Sequence, residues 1–328
     1  MQSADNRRLT GDIDGANAIL DRAEERAKQV MDNESGLFRV EALELLERIR
    51  SKKEEINNII RPSLRVAVNL SSKAPDIIAL GFLGLEDGEF VAYDRQGLYR
   101  ALANTVENPV RLSESDLIVD GTDLPRYQAL VFLTNGNSVV EVQSSQLGTP
   151  IAMKTDDPAG WAAARDAKGY LRNLYLLAPE ANQIYKYERL TNRYGPRIEY
   201  NVSGDIRSGL DMAIDGNVYV LKEGGTIVKL FRGEVQNFTI RRAPEGALKN
   251  ATKIFKAQTG NFYFLDPVGN RVIVTTDGGA TGESTYLRQY VLEGEQITAL
   301  KDLYVDPEEA YLYVLDDKRI YIVDLGAK

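Results

Sequence analysis

Acid–base chemistry in this 328-residue chain would have to run on carboxylates, lysine or tyrosine, because the sequence contains no histidine and no cysteine. That composition excludes serine–histidine–aspartate triads, histidine bases and metal ligands, thiol nucleophiles, disulfides and zinc–thiolate centres. Paired carboxylates are the remaining candidates, and the close pairs are Asp156–Asp157, Asp211 with Asp215, Asp302 with Asp306, and Asp316–Asp317. Most have a plainer reading. Asp215-Gly216, Asp266-Pro267 and Asp306-Pro307 are turn starters, in which aspartate bonds the backbone just ahead of it. Gly278-Gly279-Ala280-Thr281-Gly282-Glu283 lacks the lysine and hydroxyl residue of a phosphate-binding loop and reads as an exposed hairpin tip. Asp12-Ile13-Asp14-Gly15 opens like a calcium loop, but Ala16-Asn17-Ala18-Ile19 does not supply the remaining oxygen ligands.

Charge narrows the partners. The 40 basic residues face 48 acidic ones, a formal charge of −8, so duplex nucleic acid is not an expected partner: phosphate contacts need a basic face. Arg241-Arg242 and the group Arg193, Arg197 and Arg207 read as solvated faces rather than as an anion site. No apolar run approaches the ~18 residues of a membrane span, so direct membrane insertion is not expected either.

The elements that would position a site come from a repeat. Six apolar tetrads recur: Phe90-Val91-Ala92-Tyr93, Leu130-Val131-Phe132-Leu133, Leu174-Tyr175-Leu176-Leu177, Val218-Tyr219-Val220-Leu221, Phe262-Tyr263-Phe264-Leu265 and Leu312-Tyr313-Val314-Leu315. Their last residues are 40, 44, 44, 44 and 50 apart. A tetrad without polar alternation is a strand buried on both faces. Each is followed by a turn and a further strand, such as Ile227 to Leu230 or Ile320 to Val323. Most are preceded by another, such as Ile77 to Phe82, Met212 to Ile214 or Thr252 to Phe255. Several strands per unit of 40–50 residues spell a six-bladed β-propeller, mainly β, over residues 63–328. The last blade runs out after Val323, and its missing outer strand is expected from Leu64 to Leu70, which would close the ring and remove its open edges.

The inner strands then place Asp76, Asp120, Arg165, Asp211, Lys253 and Asp302 near the central channel, with Trp161 at the start of the third blade. Their charges are mixed, and no compact ligand set stands at fixed spacing, so no catalytic residue, metal site or cofactor is assigned. Asp120, Trp161, Arg165, Asp211, Lys253 and Asp302 stand as candidate ligand-binding residues at the channel mouth. For Trp161, core packing competes with ligand stacking.

Residues 1–62 are a different material. Ile13, Ala16, Leu20, Ala23, Ala27 and Val30 follow a 3/4 spacing, and a second seam runs through Phe38, Ala42, Leu45, Ile49, Ile56 and Ile59, interrupted at Lys52. Asn33-Glu34-Ser35-Gly36 separates the two, and Arg61-Pro62 ends the second. The expectation is an antiparallel helical hairpin, a spacer or packing element placed where the ring is sealed. Its seam also allows self-association through the helices. Met1 to Thr10 read as the cut end of a longer protein, without a signal-peptide pattern.

The motifs Ile214 to Leu221, Leu177 to Tyr187 and Tyr311 to Leu315, with the preceding hairpin, resemble the C-terminal region of membrane-anchored bacterial proteins from candidate-phyla lineages. Some of those are labelled PPM-type phosphatases for a separate N-terminal domain. More loosely, the repeats are similar to NHL and gluconolactonase-like propellers. The first resemblance implies a sensor, adhesion or scaffold ectodomain outside the cytoplasm, tethered to a membrane. The second implies a divalent metal held by Glu, Asn and Asp side chains in the channel. Two functions follow as expectations. One is a non-enzymatic binding or scaffold domain that offers a propeller face, with loops 103–109, 143–149, 190–196 and 277–284, to a protein, peptide or glycan. The alternative is a metal-dependent, lactonase-like hydrolase working in the channel.

Overall fold

A computed structural model describes the chain except residues 33–36, 86, 87, 103, 104, 114, 259, 327 and 328. Six separate antiparallel sheets make the six blades of a β-propeller. The apolar tetrads fall in the second strand of each blade: Phe90–Tyr93, Ala129–Thr134, Asn173–Ala178, Val218–Lys222, Phe262–Asp266 and Tyr311–Leu315. These strands have a neighbour on both edges and another blade against each face, so they are buried almost throughout and need no polar alternation. The apolar cores lie between adjacent blades; Val272, Val274, Leu312 and Val323, for example, join the fifth blade to the sixth.

Blade six takes strands from both ends of the propeller. Arg65–Asn69 pairs antiparallel with Arg319–Asp324, Arg65 opposite Ile322 and Val68 opposite Ile320, with an irregularity between Val66 and Val68. In blade one the inner strand is Gly81–Gly84, shorter than the expected run from Ile77. Ile77 and Ala79 are buried in the segment that leads into it, and the Ala79 amide bonds the Asp317 carbonyl of blade six. Their apolar character serves packing between blades rather than a strand.

Among the described residues the N-terminal region holds three helices, not two: α1 (Gln2–Leu9), α2 (Ile13–Met31) and α3 (Arg39–Ile56). Asp12 caps α2 by accepting the Gly15 amide at 2.9 Å, so the Asp12–Gly15 motif is a helix start. Helix α1 buries Ala4 against Ala16, Leu20, Ile49 and Ile56. It also explains Lys52, whose ammonium lies 2.9 Å from Asp5 of α1 and 2.6 Å from Glu55. The break at Asn33-Glu34-Ser35-Gly36 falls outside the described residues. Among those described, no helix is long and apolar enough to cross a membrane.

The helices sit one blade away from the expected seam. Ile59–Ile60 adds in parallel to Glu283–Val291, the outer strand of blade five, with Ile59 opposite Gln289. The Asn58 side chain donates to the Leu287 carbonyl at 2.9 Å, the Tyr286 hydroxyl donates to the Asn57 carbonyl, Asp14 accepts the Glu245 amide at 2.9 Å, and Arg61 pairs with Glu293. Blade five offers this dock because its outer strand has nine residues, long enough to leave an edge to be covered.

Candidate functional site

The channel wall is set by one equivalent position per blade. The last residue of each tetrad faces its inner-strand partner across the ladder: Tyr93 faces Gly81, Leu133 faces Asp120, Leu177 faces Asp166, Leu221 faces Asp211, Leu265 faces Lys253 and Leu315 faces Asp302. Around the axis the ring therefore reads Gly81, Asp120, Asp166, Asp211, Lys253, Asp302. Asp120, Asp211, Lys253 and Asp302 stand where the repeat put them.

Arg165 does not. The blade-three position belongs to Asp166, and the Arg165 side chain is exposed outside the channel. Trp161 is not at the channel mouth either. It packs on Tyr187 and Tyr194 with ring centroids 4.8 and 5.1 Å away, and its indole N–H donates to the Met153 carbonyl at 3.0 Å. Asp76 is exposed, five residues before Gly81. The reason for the slip is turn length: Asp166 precedes Leu177 by 11 residues, Asp211 precedes Leu221 by 10, and Asp120 precedes Leu133 by 13.

Most of the ring aspartates have a structural task. An inner strand is a sheet edge, so alternate amides point at the axis with no further strand to receive them. The amide one residue after each ring position is met by a side chain. Asp120 accepts the Ala167 amide of the next blade at 2.9 Å, Asp166 accepts Met212 at 3.0 Å, and Asp211 accepts Ile254 at 2.7 Å. Asp302 closes the ring by accepting Phe82 of blade one at 3.1 Å. Lys253 has no acceptor to offer blade six, and there the second oxygen of Asp302 takes the Leu303 amide at 2.9 Å. Gly81 has no side chain at all. The Tyr93 hydroxyl occupies its space, accepting the Gly121 amide at 3.1 Å and donating to Asp120 at 3.2 Å. A Cβ on Gly81 would stand 2.2 Å from that oxygen. The result is a belt of hydrogen bonds that ties each blade to the next everywhere except between blades five and six.

Two lysines compensate the charge. The Lys168 ammonium lies 2.8 Å from Asp166 and 2.9 Å from Asp211, while that of Lys253 lies 3.6 Å from Asp120 and 3.9 Å from Asp211. Burial opposes ionisation of Asp211, but Lys168 and Lys253 outweigh it and bring its pKa down to about 2; Asp120 is lowered in the same way. Burial wins at Asp166, which is pushed well above the carboxylate range, Asp211 and Asp120 adding repulsion. Asp302, also through burial, rises to about 6. Burial works against both lysines too, yet the surrounding carboxylates raise them well above the usual value. The two ammoniums thus face a cluster in which Asp120 and Asp211 favour the ionised form while burial opposes it at Asp166 and Asp302.

Below the ring lies a cavity of about 300 Å³. It extends from Asp120, Asp211 and Lys253 past Asp123, Phe255 and Tyr304 to Gln258 and Pro307, which belong to turns between first and second strands. In a four-stranded antiparallel blade those turns share an end with the third-to-fourth-strand connections. The mouth therefore opens on the face that carries 105–109, 143–149, 190–196 and 277–284; residues 103 and 104 of the first loop lie outside the described residues. A second hollow of about 380 Å³, with Arg165, Pro179, Tyr185 and Arg197, sits on blade three at the opposite face. Among the described residues no three carboxylates converge as metal ligands would; lysines stand between them.

Sequence reasoning missed Asp166, Lys168, Asp123, Tyr93 and Tyr304. A signal existed for Tyr93. It is the one tetrad ending in an aromatic residue, where the other five end in leucine.

No protein-family model matches the chain, and no curated protein matches it. Several solved structures share its fold. A catalytically inactive histidine-to-alanine variant of virginiamycin B lyase from Staphylococcus aureus, with quinupristin, is 13% identical with a TM-score of 0.53, over 80% of this chain and 99% of that one. A protein of unknown function from Bacteroides thetaiotaomicron is 14% identical with a TM-score of 0.57, over 80% and 75%. The WD40 repeats of RRP9 are 8% identical with a TM-score of 0.56, over 81% and 99%. Such identities establish the propeller fold, shared here by a lyase and by WD40 repeats, and nothing narrower.

Proposed function

We propose that the chain is a non-enzymatic binding propeller that presents the face around the channel mouth to a partner. One observation carries the reading: the ring aspartates Asp120, Asp166, Asp211 and Asp302, the clustered carboxylates that a hydrolase would need for metal binding or proton transfer, are committed to amides of the adjoining blade or their own. A carboxylate whose lone pairs hold the backbone together is poorly placed to move during a reaction. The lyase neighbour supports the same side, since its histidine-to-alanine variant is described as catalytically inactive and this chain has no histidine to put in that role. The rigid blades support the exposed loops at one end, which is the usual division between scaffold and recognition. The helices, bonded to blade five, carry this face at a fixed orientation to whatever they adjoin.

The rival is the metal-dependent hydrolase. Calcium titration by calorimetry and a lactone-hydrolysis assay separate the two. The binding reading expects neither calcium heat nor turnover. Micromolar calcium binding or lactone turnover, lost in Asp211→Asn, overturns it.

A further inference from the structure

We infer that the channel mouth is a subsite for a neutral sugar residue, the terminal unit of a glycan; this deepens the binding reading above and rests on it. The belt leaves several polar groups of the cavity uncommitted. The Lys253 ammonium is 3.6 Å or more from its nearest carboxylate oxygens and makes no hydrogen bond among the described residues. Asp123, three residues beyond Asp120 on the same inner strand, forms no ion pair and bonds no other residue among the described residues, and burial raises its pKa. The Tyr304 hydroxyl also has no hydrogen-bond partner among the described residues, although its ring is tightly placed. That ring lies across Gly84, where a Cβ would stand 2.4 Å from it, and it meets Phe255 and Phe82 edge-on at 5.7 and 6.5 Å.

The cavity thus offers a donor-only cation, an acceptor carboxylate, a hydroxyl able to do either, and one aromatic wall. Its own charges are nearly compensated. An anionic ligand would meet Asp120, Asp211 and Asp302, and a cationic one would meet Lys168 and Lys253. A neutral polyhydroxyl ring meets neither difficulty. One of its oxygens can accept from Lys253 while a neighbouring hydroxyl donates to Asp123, and bonds to ionised groups are about twice as strong as neutral ones. Its C–H face can lie on the aromatic wall, leaving the ring edge polar. A volume of about 300 Å³ is at the lower end of the ~300–1,000 Å³ of small-molecule sites, which suits one terminal residue rather than a chain.

The test uses the full chain on an array of immobilised glycans, followed by calorimetry with the terminal monosaccharide of any glycan that binds. The expected result is binding that the free monosaccharide competes, weakened about tenfold or more, the loss of one charge-assisted bond, in Asp123→Asn. Tyr304→Leu weakens it too, and Arg165→Ala on the opposite face leaves it unchanged. Asp123 lies outside the belt, so Asp123→Asn should keep the wild-type melting temperature and remain a fair test. Absence of binding across the array, binding that survives both channel substitutions, or binding of spermidine or glutamate in place of sugars overturns the inference. Those results leave the binding propeller standing, whereas calcium-dependent turnover removes both.

Discussion

Replacing Tyr93 with phenylalanine takes one oxygen out of the belt and little else. The side chain is 2% exposed, and its ring keeps its edge-on contact with Phe132 at a centroid distance of 5.5 Å. What disappears is the acceptor for the Gly121 amide and one donor to Asp120, both buried. Gly81 cannot replace them, having no side chain. A buried amide left without a partner costs about 1–3 kcal/mol, and loss of a bond to an ionised carboxylate belongs at the upper end. For a chain of this size each kcal/mol shifts the melting temperature by roughly 2 °C, so Tyr93→Phe should melt about 2–6 °C below wild type. Calorimetric melting and urea unfolding should agree on the loss. Tyr311→Phe is the control: Tyr311 is 37% exposed, its hydroxyl bonds nothing among the described residues, and no change is expected. If Tyr93→Phe stays within about 0.5 kcal/mol of wild type, the range of ordinary surface substitutions, the belt is not holding the blades.

Two further outcomes follow from the same contacts. Deleting Leu64–Leu70 removes the outer strand of blade six and exposes the edge of its neighbour from Arg319 to Ile322. The propeller should then unfold as a unit, and an unchanged melting temperature would refute closure of the ring by this strand. The pH dependence should have two opposed limbs. Asp302, raised to about 6, binds its proton more tightly folded than unfolded, so it favours the fold increasingly as pH drops from 7 toward 4. Asp211, lowered to about 2, contributes stability above the unfolded carboxylate pKa and loses it as pH falls from about 4 through 2. Denaturant titrations of wild type against Asp302→Asn should show the first limb in the difference; a difference that is flat between pH 7 and 4 contradicts the assignment.

Much of the architecture was legible because burial on both faces leaves a mark in sequence. A strand such as Phe262 to Leu265 has no face on which a polar residue could sit, so six such runs at near-constant spacing announce six blades. The channel was legible in part. Asp120, Asp211, Lys253 and Asp302 could be read from the repeat, but the one-residue slip at Arg165 and Asp166 shows what turns of unequal length conceal. Tyr93 shows a deeper limit. It does the work of an aspartate from a different strand, and only the folded blade brings its hydroxyl into the gap left by Gly81. Helix α1 was hidden for a related reason. It is short and polar, mostly exposed, and held by Ala4 and by Asp5 with Lys52 rather than by an apolar seam of its own. The dock on blade five rests on backbone atoms of Asn57 to Ile60 and on the scattered polar side chains of Asp14, Asn58 and Arg61, which form no periodic pattern.

The ring carboxylates act as struts between blades, and amide hydrogen exchange reads the struts directly. The amides of Phe82, Gly121, Ala167, Met212, Ile254 and Leu303 face a channel, yet each has a buried or half-buried acceptor. They should exchange only through global unfolding, as slowly as the second-strand amides of Val220 and Phe264, and in Asp211→Asn the Ile254 amide should lose the most protection. Exchange of the wild-type channel amides at the rate of the exposed loops would contradict the account and return those aspartates to the pool of free functional groups.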